Sequence, residues 1–282
     1  SDPDSRHQIV RGTITEVCYT AQTTVDAKHK LFIDYKLTNQ NDKKAMGLML
    51  RRAKSILRNN SFTALHDKGF HAGSEFYIAD QLGIKTLVTV PAIGRSSQAP
   101  NPHYNAEHFV YDKASDSYTC PQGHRLTSNQ TQYKARNYTF KQYKTKACKT
   151  CPVRSECTTS KVNGKVVQRS QYTEHIQRNI ERAEANEMLY NKRQALAEHP
   201  FGTIKRQWGF DHIMTKKGIR AASADLGLIA LAYNLKRMFK LGVGLKYQYK
   251  LLRSAIFTLL NLKSSFLSFL NHGTNQYQIN LF

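Results

Sequence analysis

Three groups of side chains in this 282-residue chain have the chemistry of a reactive or metal-holding site. The first is Asp67, in Phe62-Thr63-Ala64-Leu65-His66-Asp67-Lys68-Gly69-Phe70. A short apolar run ends on an acid and a glycine-bearing turn follows, which predicts a buried strand whose last residue leans out of the sheet edge. Sites form where the strands of open α/β sheets end, and a carboxylate fixed there suits a hard divalent cation. The plainer role is to open the turn, where Asp is common. The second group centres on Glu198, in Glu198-His199-Pro200-Phe201-Gly202-Thr203-Ile204-Lys205-Arg206. Pro200 removes a helix hydrogen bond and disfavours α geometry at His199, so a kink or restart is expected that aims Glu198. The plainer role for Glu198 is a solvated helix face.

The third group is sulfur. Cys148-Lys149-Thr150-Cys151 is a C-x2-C knuckle tightened by Pro152, with Cys157 five residues further on and Cys120 upstream. Zinc takes four ligands in a tetrahedron, and short Cys pairs in turns supply two each. Cys120, Cys148, Cys151 and Cys157 therefore make a four-thiolate site, with His124 as a substitute ligand; the alternative is a set of unrelated thiols. Residues 95–169 are rich in Ser, Asn, Gln, Tyr and Lys without a sustained period, so a metal staple is expected to hold them. Cys18 sits alone in a strand-like run and is expected in the core.

The elements that must position these groups follow from patterning. Residues 13–25 and 31–37 read as two strands of a hairpin, with Asp26 at its tip. Thr38 to Asp42 is a polar linker suited to capping a helix. Met46, Met49, Leu50, Ala53, Ile56 and Leu57 recur at helical spacing, predicting an amphipathic helix over 42–58. After the strand ending at Asp67, a helix capped by Ser74 runs to about 82, and a strand over 85–90 stops at Pro91. A hairpin feeding alternating helices and strands means a mixed sheet with helices packed on it. One long helix is expected over 174–197, and a core helix over 221–239 with Lys236 and Arg237 near its end. The tail beyond is amphipathic. The expected division is 1–94, 95–169, 170–240 and 241–282.

Lys plus Arg number 42 against 20 Asp plus Glu, a net charge of +22, which favours a polyanion, above all nucleic acid. A membrane surface is the weaker rival. No apolar run approaches the ~18 residues of a membrane span, and no signal peptide opens the chain. The clustered cysteines do not look like a secreted disulfide framework, so a reducing cytosol is expected. The chain starts at Ser1, as expected after processing or inside a longer reading frame.

Four motifs carry a resemblance. Asp67-Lys68-Gly69-Phe70 is similar to the D-x-G-Y segment with the second aspartate of bacterial insertion-sequence transposases of the DDE class. Glu198-His199-Pro200-Phe201-Gly202-Thr203-Ile204-Lys205 resembles their E-x-x-F-G-x-I-K segment, which holds the glutamate. Ala232-Tyr233-Asn234-Leu235-Lys236-Arg237 matches their A-x-N-L-x-R helix, and Asp2-Pro3-Asp4-Ser5-Arg6 resembles D-P-D-A-R in a branch with a cysteine-bearing insertion. The resemblance spans residues 1–240. It implies an α/β, ribonuclease-H-like mixed sheet with flanking helices, interrupted by a small zinc-binding insertion. It also implies Mg²⁺-dependent cleavage and strand transfer at double-stranded DNA, meaning transposon ends and target, by two ions held on two aspartates and a glutamate. Asp67 and Glu198 are the second and third carboxylates. Lys205, Arg206, Lys236 and Arg237 are expected at DNA phosphates. The family's first aspartate lies in a D-G-T segment on a strand before the hairpin. That strand, its aspartate and a preceding DNA-binding region are expected to be missing here, unless Asp26 is the first aspartate. The fragment alone is then expected to be inactive, and the full-length protein to be a cytoplasmic, nucleoid-associated homo-oligomer. Two other readings compete: a decayed, non-catalytic zinc-containing DNA-binding fragment, and a nuclease that only hydrolyses.

Overall fold

A computed structural model describes residues 2–10, 14–92, 94, 97–160, 162, 164–210, 217–242, 249 and 252–254. Strand β1 (Arg6–Val10) pairs antiparallel with β2 (Ile14–Cys18), and β3 (Thr20–Val25) with β4 (Phe32–Thr38). The single strand expected over 13–25 is thus two, broken at Tyr19, whose hydroxyl is held 2.8 Å from Asp2. β-propensity marks an extended chain but not where its partner changes. Cys18, expected in the core, is only half-buried at the end of β2.

Helix α1 (Met46–Leu57) buries Met46, Met49, Leu50 and Ala53 of the predicted stripe, while Ile56 and Leu57 at its end are exposed. No side chain of the 38–42 linker caps it. Instead the buried Glu75 carboxylate accepts from Gly47 N at 2.7 Å, placing negative charge at the helix N-terminus. Then come β5 (Thr63–His66), α2 (Gly73–Gln81) and β6 (Lys85–Val88). Ala72, not Ser74, occupies the cap position of α2, without a side-chain bond. β5 and β6 run parallel, Thr63 opposite Lys85 and His66 opposite Val88. Met46, Leu50, Phe76, Ala79, Ile84 and Val88 form the core between them. The architecture is mixed α/β, but β3–β4 and β5–β6 are two separate two-stranded sheets. No described strand joins β3 to β5.

Residues after 94 are better built than their composition suggests. β7 (Val110–Asp112), β8 (Ser117–Thr119), β9 (Arg125–Ser128), β10 (Tyr133–Lys134), β11 (Thr139–Lys144) and, after the short α3 (Arg154–Cys157), β12 (Val167–Ser170) form a six-stranded antiparallel sheet. It has its own core of Phe109, Tyr118, Leu126, Tyr143 and Val167. Beside this core Asp116 accepts from Lys141 and from the hydroxyls of Tyr111 and Tyr143, which hold its carboxyl well below the usual range. The expectation of an uncored segment is therefore corrected. Aromatic residues bury large areas even when scattered, and tyrosine's polar tip hid them among polar residues.

The helix expected over 174–197 is three: α4 (Thr173–Ala185), α5 (Glu187–Asn191) and α6 (Arg193–Phe201). It breaks at Asn186, whose side chain turns back to the Arg182 carbonyl at 2.8 Å. Pro200 lies buried inside α6, and the chain passes into a π-helical turn, Gly202–Gln207, rather than stopping. α7 (Ile219–Lys240) buries one face only: Ala222, Leu226, Ala230 and Tyr233 lie against β4, while Leu228, Leu231 and Phe239 are exposed. It is not buried all round, because its described packing covers one side. A Cβ at Gly227 would overlap the Tyr35 hydroxyl, so glycine lets β4 approach. The amphipathic tail expected over 241–282 falls almost wholly outside the described residues.

Candidate functional site

Asp67 stands exposed at the end of β5, its carboxylate accepting from Lys68 N and opening the short 3-10 turn Lys68–Phe70. The turn-opening role read from the sequence holds, but the strand before it ends at His66 and is half-buried rather than buried. Glu198 is exposed on α6 and accepts from Gln194 at 3.0 Å. The next residue, His199, meets the Tyr233 hydroxyl at 3.0 Å, and that hydroxyl donates to the Lys30 carbonyl at 2.9 Å. The end of α6 is thereby tied to α7 and the hairpin. The hairpin tip is as expected, with Asp26 accepting from Lys28 N and His29 N.

Between these elements lies a cavity of about 340 Å³ lined by Val25, Asp26, Ala64, His66, Arg193 and Ala197, among others. His66 immediately precedes Asp67, and Ala197 immediately precedes Glu198. Tyr190 of α5 fastens this arrangement: its hydroxyl lies 3.3 Å from the His66 carbonyl and 2.9 Å from the Thr89 hydroxyl. Of the three carboxylates only Asp26 lines this cavity; Asp67 and Glu198 follow lining residues in the chain. Among the described residues, however, no three His, Cys, Asp or Glu side chains are gathered closely enough to hold a metal ion.

Sequence reasoning missed His66 and Arg193. His66 Nε2 and Arg193 Nε are shielded from solvent without a hydrogen-bond partner. Burial, then the nearby Arg193 charge, push the imidazole down to about 4. Nothing in the sequence signals this, since it depends on α6 crossing β5. It has a measurable consequence. Below pH 6.5 the unfolded chain takes a proton that folded His66 refuses until about pH 4. Stability should fall across that window by on the order of 3 kcal/mol and level off below it. Denaturant unfolding of the parent and of His66→Gln at steps between these limits checks this. A parent-minus-variant difference that stays constant with pH would refute it.

The basic residues divide. Lys205 and Arg206 are exposed, Lys205 lying 5.8 Å over the Phe201 ring. Lys236 lies 5.1 Å over Trp208. Arg237 donates from Nε to the His29 carbonyl at 2.8 Å, so that nitrogen is engaged in packing. The Asp2-Pro3-Asp4 segment also has a duty its composition hid. Asp2 accepts from Gly218 N and Asp4 from Ile219 N, each at 3.0 Å, capping α7. The Gly218 N–H, first of several donors, holds the Asp2 carboxyl below its ordinary value.

The cysteines meet at one cavity, though no three of these side chains are gathered closely enough to hold a metal ion among the described residues. Cys120, Cys148, Cys151, Cys157 and His124 all line one small cavity beside the aromatic core of the antiparallel sheet. All five cysteines of the chain are free. Burial pushes the Cys157 thiol up; Lys165 opposes this, and Cys148, Cys120 and Cys151 add to it. Gly164, at φ +65°, lies where a Cβ would overlap that of Cys148.

Residues 119–239 match the family model described as a transposase DDE domain, and the match supports a DDE transposase. The matched stretch contains four of the five cysteines, Glu198 and most of the Asn234 helix, but not Asp67. No curated protein and no solved structure matches the chain. Among the described residues, no helix is long and apolar enough to cross a membrane.

Proposed function

We propose that this chain is the C-terminal portion of a bacterial DNA transposase that cleaves phosphodiesters at insertion-sequence ends and transfers the strands. The carrying observation is the match of residues 119–239, which hold Glu198 and most of the Asn234 helix, to a transposase DDE domain. In this reading the core is ribonuclease-H-like, split into 1–94 and 170–240 around the 95–169 insertion. Asp67 and Glu198 offer exposed carboxylate oxygens, the donor type that Mg²⁺ prefers. Asp67 and Glu198 would hold Mg²⁺, which when bound would supply Lewis acidity for phosphodiester displacement. The protein's part is to hold Asp67 rigidly at the strand end and to aim Glu198 through the π turn and the His199–Tyr233 tie. Lys205, Arg206 and Lys236 meet DNA phosphates, and Arg237 does so with whatever capacity its bond to His29 leaves. Two carboxylates are fewer than the three such sites use, so the chain alone binds DNA and cuts it poorly. Oligomerisation and a cytoplasmic, nucleoid-associated setting belong to the full-length protein.

The test begins with affinity. With a net charge of +22, binding to a random duplex should weaken steeply and log-linearly with salt. A flat salt dependence would remove the nucleic-acid reading.

The same reading gives the insertion one structural Zn²⁺ on Cys120, Cys148, Cys151 and Cys157, with His124 in reserve. Four sulfur donors around one cavity are the set zinc prefers. Protein purified without chelator should carry one zinc per chain, and chelation should lower its unfolding temperature. A zinc-free sheet over 110–170 that resists protease as well as the untreated protein defeats the assignment.

A further inference from the structure

We propose that the tail over residues 249–270 folds back antiparallel along α7 as an amphipathic helix and covers an apolar stripe there. α7 holds β4 with one face, through Ala222, Leu226, Ala230 and Tyr233. Its opposite face carries Ala224, Leu228, Leu231, Leu235 and Phe239, all exposed, Leu228 to 65% and Phe239 to 61%. These positions recur at three- and four-residue steps, so they form one stripe along the helix. A contiguous apolar patch of this kind marks a docking surface.

The end of α7 says what docks. Gly242, at φ +68°, takes the left-handed geometry of a helix stop, and its N–H donates to the Phe239 carbonyl at 3.1 Å. The chain is helical again at Tyr249 and over residues 252–254, where Tyr249 and Leu252 are exposed. Residues 243–248 are left for the connection, a usual length between packed antiparallel helices. In the sequence beyond, Leu252, Ile256, Leu259, Leu262 and Phe266 recur at three- and four-residue steps, with Ser254, Asn261 and Ser265 on the opposite side. Laid antiparallel, the two stripes agree in spacing over about 22 Å. Leu252 meets Phe239, Ile256 meets Leu235, Leu259 meets Leu231 and Leu262 meets Leu228. The large Phe266 then falls on the small Ala224, which suits close packing. Lys263 is the one cation beside the tail stripe, and its apolar stem can lie along α7 while the ammonium reaches water. A tethered segment acts at an effective concentration on the order of millimolar, which favours the tail over a second copy. Residues 243–282 hold no Asp or Glu, so an anionic lipid surface is the other occupant they suit. The matched spacing favours α7. The tail lies beyond the stretch 119–239 that matches the transposase DDE domain, and the proposal stands whether or not the chain cuts DNA.

The test uses the whole chain with Leu231→p-benzoylphenylalanine, a photoreactive residue at an exposed position. An equal mixture of isotopically light and heavy protein is irradiated and the cross-links are read by mass spectrometry. Position 231 should join residues 255–263 of the same molecule. Adding Leu259→Asp should lower that yield at least ~10-fold, because a charge is costly to bury among leucines. Thr258→Asp, on the polar side of the tail, should leave it unchanged. Leu228→p-benzoylphenylalanine should in turn reach residues 259–266. Four results overturn the proposal. Neither photoreactive position joins the tail. Cross-links form only between light and heavy chains, which gives the stripe to a second copy. Leu259→Asp and Thr258→Asp lower the yield equally. The cross-links vanish on adding phosphatidylglycerol vesicles, which gives the stripe to lipid.

Discussion

Asp67→Asn and Glu198→Gln should each abolish cleavage and strand transfer, by roughly 10³-fold or more, in an active transposase containing this chain. Each change keeps the side chain's shape and removes a charged oxygen donor. If each carboxylate contributes several kcal/mol of transition-state charge stabilisation through a bound ion, the loss is of that order. Both residues are exposed, with one local hydrogen bond each. Neither substitution should therefore shift the unfolding transition by more than a typical surface change. Asp26→Asn should cost far less activity, since Asp26 is engaged in holding the hairpin tip through Lys28 N and His29 N. The measurement is single-turnover cleavage of an insertion-sequence end, beside a thermal melt of each variant. Full activity in either the Asp67 or the Glu198 variant would end the proposed mechanism. An Asp26 variant as dead as the other two, and as well folded, would instead place Asp26 in the triad.

Asn179→Ala should be the most destabilising single truncation at a polar residue, costing about 3 kcal/mol. Asn179 has no exposed surface, and it serves Thr86 and both backbone groups of Val88. Its removal leaves the Val88 N–H and C=O buried at a strand edge without partners. For a chain of this size that corresponds to a drop in melting temperature on the order of 10 °C. Asn179→Asp keeps the acceptor but cannot donate to Val88 O, so it should fall in the same direction. Asn234→Ala, at the partly buried outer edge of β4, should cost less. Paired denaturant titrations decide the matter. An Asn179→Ala cost no larger than that of an exposed substitution would mean that water replaces the amide at this edge.

The sequence was legible where one local rule governs. The apolar stripe of α1 follows helical spacing. Asp67 follows an apolar run and precedes a glycine, and the strand end and turn are there. The Asp26 hairpin tip is also in place. The failures share another cause. The break at Tyr19 and the aromatic core under β7 to β12 each depend on contacts far away in the chain. A tyrosine counts as polar in composition and as core in a sheet. The motif residues around Asn234 were legible as a pattern but not as a device, because the bond from Asn234 to Phe32 spans some two hundred positions.

By itself the sequence determined the residue chemistry: two carboxylates in ordered motifs, four clustered thiols and a strongly basic surface. It also determined the alternation of strands and helices, because side-chain periodicity is a local property. Tertiary structure alone decided what those groups face. It brought His66 and Arg193 to one cavity, each with a shielded nitrogen that has no hydrogen-bond partner. It sealed the edges of β6 and β4 with Asn179 and Asn234. Burial and the pairing of strand edges arise only when distant segments exclude water from one another, and no window along a chain contains both sides of such a contact.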